Sequence, residues 1–383
     1  MVTNFDRPIN RRNSDSVKWN QYADDILPLW VADMDFLSPP SVIKALQERV
    51  QHGVYGYPAF QERTKDAAID WLWKQHAWSV SREDLIFLPG VVTGFNLAAY
   101  ALTNPGEGVL VQTPAYRPFI EVAENTKRML HIMPLDRSRT GKFYVSKNTF
   151  THAIQSNTRI FMLCNPQNPT GRVFSKEELT LMAETCLENE VIICSDEIHH
   201  DIVYPGSKHI PIATLSPEIA NQTITLLSPS KTFNIAGLKI AFSVITNPTL
   251  KDRFIAAKQG LVSWVNLFGP ITLQAAYTEG EDWLRHLLVY LEENRTFVSE
   301  FVSKHLEGVS MTDPEGTYLA WLDCRDTGLE DPYQFFLEES KVALNPGDWF
   351  GEDGKGYVRL NFGCPREILK EALTRMQRSL ESL

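Results

Sequence analysis

Short, almost unbroken apolar runs alternate along this chain with longer stretches in which apolar positions recur at helical spacing. Thr158–Cys164, Val191–Ser195 and Thr223–Leu227 have the length and composition of strands buried on both faces, as in a parallel sheet. Pro39–His52 predicts a helix entered through Ser38 and closed by Gly53, Gln61–His76 a second, and Phe95–Leu102 a third. Helical spacing then dominates from about Ile271 to Leu306, followed by short strands and a terminal helix over Pro365–Leu383. There is no internal repeat and no low-complexity linker, so the alternation predicts α/β organisation. A chain of 383 residues, 43% apolar, exceeds one ordinary core and predicts two domains.

Polar groups sit where the three apolar runs end. Asn165 follows the first in an Asn-Pro-Gln-Asn-Pro-Thr-Gly turn, and Asp196 closes the second. Lys231 follows the third, inside Ser228-Pro229-Ser230-Lys231-Thr232-Phe233-Asn234-Ile235-Ala236-Gly237-Leu238. Ligands of parallel α/β sheets bind outside the carboxyl ends of the strands, so the three groups are predicted to converge. Singly, each has an ordinary explanation: a turn cap for Asn165, a helix cap for Asp196, a solvated surface lysine for Lys231. Together they outline a site for pyridoxal phosphate (PLP), in which a partly desolvated lysine amine forms a Schiff base. The Gly-bounded turn Pro89–Gly94 feeds a helix N-terminus, whose free backbone amides suit a phosphate.

A net charge of −10 and a pI near 5.5, without a basic patch, argue against nucleic acid or an anionic membrane as partner. No run reaches the apolar length of a membrane span, and Met1–Arg12 lacks the apolar core of a signal peptide, so a cytoplasmic protein is expected. The five cysteines form no CxxC pair and are odd in number, which suits reduced thiols. Neither a disulfide nor a metal site is expected, because His199 and His200, adjacent in an extended chain, face opposite sides and chelate one ion poorly.

Beyond these readings, the chain resembles the fold-type I PLP enzymes of the class I/II aminotransferase superfamily, and within it the MalY/PatB-like cystathionine β-lyases, or C–S lyases. The resemblance runs from Asn4-Phe5-Asp6 and Ser16-Val17-Lys18-Trp19 through Ala32-Asp33-Met34-Asp35-Phe36, Tyr55-Gly56-Tyr57, Thr113-Pro114-Ala115-Tyr116 and Asp196-Glu197-Ile198-His199. It continues in the lysine segment, Tyr318-Leu319-Ala320-Trp321-Leu322-Asp323 and Val358-Arg359-Leu360-Asn361. One departure stands out: Lys239 occupies the place where the superfamily carries a phosphate-binding arginine, keeping the charge and losing the bidentate fork.

The resemblance implies a three-layer large domain with a mostly parallel sheet, residues 46–275, and a smaller, discontinuous α+β domain, residues 1–45 and 276–383. It implies that Lys231 holds PLP and serves as the base at the substrate Cα. Asp196 would pair with the ring nitrogen, Asn165 and His199 would contact the ring's phenolic oxygen, and Tyr116 would stack on the ring and share in catalysis. Ser228, Lys239 and the amides of Val91 and Val92 would hold the phosphate, joined by Tyr57 from the neighbouring subunit of a homodimer. Arg359 would bind the substrate α-carboxylate, with Ala32 beside it. The activity implied is β-elimination from L-cystathionine or another S-substituted L-cysteine to a thiol, pyruvate and ammonia. A PLP-dependent aminotransferase would use the same residues and is the alternative; a PLP-fold regulatory binding protein is a third, to which intact Lys231, Asp196 and Arg359 would be superfluous.

Overall fold

A computed structural model describes residues 4–59 and 62–383; Met1 to Thr3 and the predicted helix start at Gln61 lie outside them. Seven strands form the principal sheet: β1 (Leu85–Leu88), β2 (Gly108–Thr113), β3 (Met129–Pro134), β4 (Thr158–Cys164), β5 (Ile192–Asp196), β6 (Thr223–Leu227) and β7 (Ala241–Val244). Their order is β1-β7-β6-β5-β4-β2-β3. The run from β6 to β3 is parallel, and only β7 is antiparallel to its neighbours β1 and β6. Apolar clusters cover both faces, one around Phe95, Val111 and Leu226 and the other around Phe161, Met182 and Ile193. That double burial is why β4, β5 and β6 read as continuous apolar runs. The sheet and its helical layers are the expected α/β class.

Six helices bear on the argument: α1 (Pro40–His52), α2 (Glu62–His76), α3 (Val91–Leu102), α4 (Phe268–Glu279), α5 (Glu281–His305) and α6 (Arg366–Leu380). Gly53 closes α1 in the left-handed conformation, as its position suggests. Ser38 does not cap it; its hydroxyl donates to the Asn234 carbonyl at 3.0 Å. The helix expected at Phe95 begins at Val91, because Gly90 takes φ 152°, a conformation that turns the chain directly into the first helical turn. The long helical stretch is two helices. A Cβ at Gly280 would lie 2.4 Å from the Ala276 carbonyl oxygen and 2.7 Å from the Phe233 ring, so the joint is packed against the lysine segment itself.

A second sheet, of Ser310–Met311, Leu319–Asp323, Tyr357–Asn361 and Asn345–Pro346 in that order, is antiparallel throughout. The N-terminal arm joins this part: Leu27–Pro28 pairs in parallel with Val342–Ala343. The arm is organised by one buried carboxylate. Asp35 accepts from Arg11 Nη1 at 2.6 Å, Lys18 Nζ at 2.7 Å and Trp19 Nε1 at 2.7 Å, and Lys18 is itself buried. Asn234 ties the arm to the lysine segment, its side-chain oxygen accepting from the Met34 amide and its nitrogen donating to the Met34 and Phe36 carbonyls.

Removing one member of a buried ion pair leaves the other uncompensated. Asp35→Ala is therefore expected to lower stability by roughly 3–5 kcal/mol, read from the urea midpoint, and pairing it with Lys18→Met should recover most of the loss. A cost under about 1 kcal/mol for the single variant would contradict this account.

Candidate active site

A cavity of about 520 Å³ opens where β4, β5 and β6 end, and Cys164, Asp196 and Ser228 line it from those three ends. Opposite them stand Ala32 of the arm, Val91 and Val92 at the start of α3, and Arg359 of the second sheet. The cavity thus gathers segments far apart in the chain.

Lys231 follows β6 by four residues and reaches across to the arm, where its Nζ donates to the Ala32 carbonyl at 2.6 Å. The same carbonyl accepts from the Tyr318 hydroxyl at 2.9 Å. Burial pulls the Lys231 pKa down to about 8; the Asp33 and Asp196 charges resist this, while Arg359 and Lys239 add to it. A far larger share of the amine than in a free lysine is therefore unprotonated at physiological pH, and that share is the nucleophile and base.

One oxygen of Asp196 accepts from the Ile198 amide at 2.9 Å. Burial raises its pKa to about 7 against that amide and the Lys231 charge, so a cationic group placed beside it would restore its ionised form. His199 lines the cavity with its ring edge-on to Tyr318, the centroids 5.8 Å apart. Burial, reinforced by Lys231 and Arg359, holds it neutral, and its Nδ1 is buried without a partner. A neutral imidazole lining a cavity can hydrogen-bond a group held there.

Asn165 requires a correction. Its side-chain oxygen accepts from the Phe174 amide at 3.0 Å and its nitrogen lies 3.5 Å from His209 Nδ1, so it is spent on the turn and does not line the cavity. Asn168, three residues on, does line it. The two asparagines stand in the same Asn-Pro context, and proximity to the strand end favoured the wrong one.

Arg359 is buried, lies over the Phe350 ring at 4.9 Å, and remains cationic although burial lowers its pKa to about 10. Nη1 donates to Asn168 Oδ1 at 2.8 Å, and Nη2 donates to the Trp30 carbonyl at 2.7 Å and to Asn345 Oδ1. Its Nε has no partner among the described residues. The fork is thus fixed in orientation, with donor capacity left. Tyr116 caps the helix Arg117–Thr126 and lines the cavity, its ring 5.6 Å from that of Trp349.

The first three amides of α3 have no carbonyl one turn earlier to bond. Those of Val91 and Val92 head a helix whose positive end borders the cavity. Ser228 Oγ donates to the Ile240 carbonyl at 2.6 Å and accepts from the Ser230 amide at 3.0 Å, so its hydrogen is already committed. Ser230 also lines the cavity and is a hydroxyl the sequence reading passed over, as it did Ile198 and the aromatic wall of Tyr22, Trp30 and Trp349. Lys239 is exposed at the rim. Tyr57 is fully exposed and takes no part in the cavity of its own chain. Lys231, Lys239, Arg359 and a helix N-terminus against one carboxylate, Asp196, suit a ligand with more than one anionic group.

Residues 24–376 match the model of the family described as aminotransferase class I and II. The chain belongs to that family. It is 40% identical to the cystathionine β-lyase PatB of Bacillus subtilis, over 98% of this chain and 100% of the relative. It is 33% identical to the protein MalY of Escherichia coli, over 96% of each. Among solved structures, cystalysin of Treponema denticola, which contains a pyridoxal 5′-phosphate cofactor, superposes with a TM-score of 0.96 at 29% identity and full coverage of both chains. The resemblance read from the motifs and the fold-type I architecture both hold. The residues present also fit such a cofactor: the free amides of α3, the neutral His199 ring, the half-bonded Asp196 carboxylate and the Lys231 amine with its lowered pKa share one cavity.

Because Lys231 must lose its proton to react, capture of added PLP by the apoenzyme should quicken as pH rises through about 8. Asp33 stabilises the ammonium, so Asp33→Asn should move that rise to lower pH. Stopped-flow absorbance of the yellow product measures both, and a rate flat across this range would contradict the assignment.

Proposed function

We propose that this protein is a PLP-dependent C–S β-lyase that cleaves L-cystathionine or another S-substituted L-cysteine to a thiol, pyruvate and ammonia. The observation that carries the reading is the Lys231 amine, its pKa lowered by burial, in one cavity with Asp196 and Arg359. The relatives bearing the name cystathionine β-lyase favour elimination over amino transfer.

When bound, the cofactor supplies an electron sink for negative charge at the substrate Cα. Arg359 receives the substrate carboxylate, exchanging part of its bonding to Trp30 and Asn345 for the new anion. Asp196, once ionised, would hold the proton on the ring nitrogen. Asn168 and His199 would contact the phenolic oxygen, and Tyr116 would pack on the ring. The α3 amides, Ser230 and Lys239 would hold the phosphate, joined by Ser228 if its hydrogen turns from the Ile240 carbonyl to the anion. Lys231 Nζ takes the Cα proton. The C–S bond then breaks with its electron pair leaving on sulfur, and the Lys231 ammonium can return the proton to the departing thiolate. Water hydrolyses the remaining three-carbon fragment to pyruvate and ammonia.

The same reading assigns residues 46–275 to a large domain and 1–45 with 276–383 to a small one, a division supported by the pairing of Leu27–Pro28 with Val342–Ala343. It makes the active species a homodimer in which Tyr57, fully exposed beside the exposed Val54 and Tyr55, reaches the phosphate in its neighbour. It places the enzyme in the cytoplasm, on five unpaired cysteines. Among the described residues no helix is long and apolar enough to cross a membrane.

S-substituted cysteines incubated without any keto acid should yield pyruvate and free thiol over many turnovers; a strict need for a keto-acid acceptor, with cystathionine left intact, would assign the aminotransferase reaction instead. Lys231→Ala should lose turnover by several orders of magnitude, since nucleophile and base go together. Arg359→Ala should cost roughly 2–4 kcal/mol in kcat/KM, the scale of a charge-assisted bidentate contact. Mixing inactive Lys231→Ala and Tyr57→Ala chains should restore part of the activity through hybrid dimers, and no recovery despite measured subunit exchange would mean that Tyr57 serves its own chain.

A further inference from the structure

Outside the cavity, three histidines and two carboxylates pack together: His76 at the end of α2, Glu197, His200 and Asp201 in the turn after β5, and His209. The His76 ring lies 5.3 Å from those of both His200 and His209. His209 Nε2 is 2.8 Å from Glu197, which also accepts from Ser195 Oγ at 2.9 Å and the Ile212 amide at 3.2 Å, so that pair is satisfied. His76, His200 and Asp201 are not.

His200 Nδ1 lies 2.7 Å from the Glu197 backbone carbonyl, and a carbonyl only accepts, so the ring proton sits on Nδ1. In the neutral ring Nε2 is then a bare lone pair. It faces Asp201 Oδ2 at 3.2 Å, a second acceptor, and both side chains are all but inaccessible to water. Two buried acceptors do not face each other without a positive charge between them. Asp201 already accepts from Trp71 Nε1 at 3.1 Å and Thr232 Oγ1 at 2.9 Å, which fixes its carboxylate in this direction. His76 Nε2, its side chain 6% exposed, is also without a partner and lies 3.9 Å from Asp201 Oδ1.

We propose that His76, His200 and Asp201 bind one zinc ion, at a site separate from the cavity that holds Lys231. The three offer ligand atoms within 4.8 Å of one another. Tetrahedral zinc with bonds of about 2.1 Å sets its ligands roughly 3.4 Å apart, so a contraction of at most about 1.4 Å closes the site. His76, the last residue of α2, is the ligand best placed to move. The Nδ1–H bond of His200 to a backbone carbonyl is the outer support that metal-bound histidines carry. The adjacency of His199 and His200 does not enter: His199 faces the cavity, and the further histidine comes from another helix. Zinc here would clamp the end of α2 to the turn whose Asp201 holds Thr232, the neighbour of Lys231.

The test uses PLP-loaded enzyme stripped with a chelator, titrated with zinc chloride by calorimetry and assayed for metal after gel filtration. One zinc per chain is expected in the wild type, with a zinc-dependent rise in Tm and an X-ray absorption spectrum of two imidazole nitrogens plus oxygen. His76→Gln should weaken binding at least tenfold and abolish the rise in Tm while leaving the circular dichroism and PLP absorbance intact. His200→Gln serves as the second variant, and if it fails to fold, His76→Gln alone decides. A wild-type chain that emerges free of zinc, its Asp201 carboxyl holding a proton against His200, overturns the proposal. So does zinc retained equally by His76→Gln.

Discussion

A lysine amine buried at the carboxyl rim of a parallel sheet is the constraint on which the rest of this molecule depends. Out of water its charge must be compensated or given up, and here the two tendencies nearly balance. The groups that set the balance come from four places: Asp33 and the Ala32 carbonyl from the arm, Asp196 from the end of β5, Arg359 from the second sheet, and Lys239 from the rim. No single element could supply them. The arm's return, the second sheet and the close packing at Gly280 all serve to hold those groups around one nitrogen.

Much of this arrangement is legible along the chain, and the parts that are not have identifiable causes. Strands β4, β5 and β6 declare themselves because double burial leaves them no polar face, and Asp196 and Lys231 follow from where those strands stop. Asn168 was missed because two asparagines share one local context and only the path of the turn separates them. The Ala32 carbonyl could not be found by residue type, since any residue has one. Ser38 looks like a helix cap yet bonds Asn234, a partner chosen by tertiary packing. Ile198, an apolar residue between Glu197 and His199, packs against the core and also lines the cavity wall, which residue type alone does not reveal.

The turn after β5 shows how a short segment serves two environments. Asp196 and His199 point into the cavity, while Glu197 and His200 point into the histidine cluster. The acids differ in partners accordingly. Asp196 keeps capacity for a ligand, whereas Glu197 is saturated by Ser195, His209 and Ile212. One side of the turn stays available for chemistry because the other is locked.

The arm's hydrogen bonds also dictate an order of events during synthesis. The Asn361 amide donates to Leu29 O at 2.8 Å, the Asp35 amide donates to Gly363 O at 2.9 Å, and Asn361 Nδ2 donates to the carbonyls of Val31 and Asp33. The arm therefore finds its partners in a segment translated roughly 330 residues later. At 5–20 residues per second it waits roughly 20–70 s, by which time the seven-stranded sheet has emerged in full. The wall that carries Asp33 and the Ala32 carbonyl is thus the last to close, and a nascent chain can hold a nearly complete sheet while its lysine still lacks the surroundings that tune it.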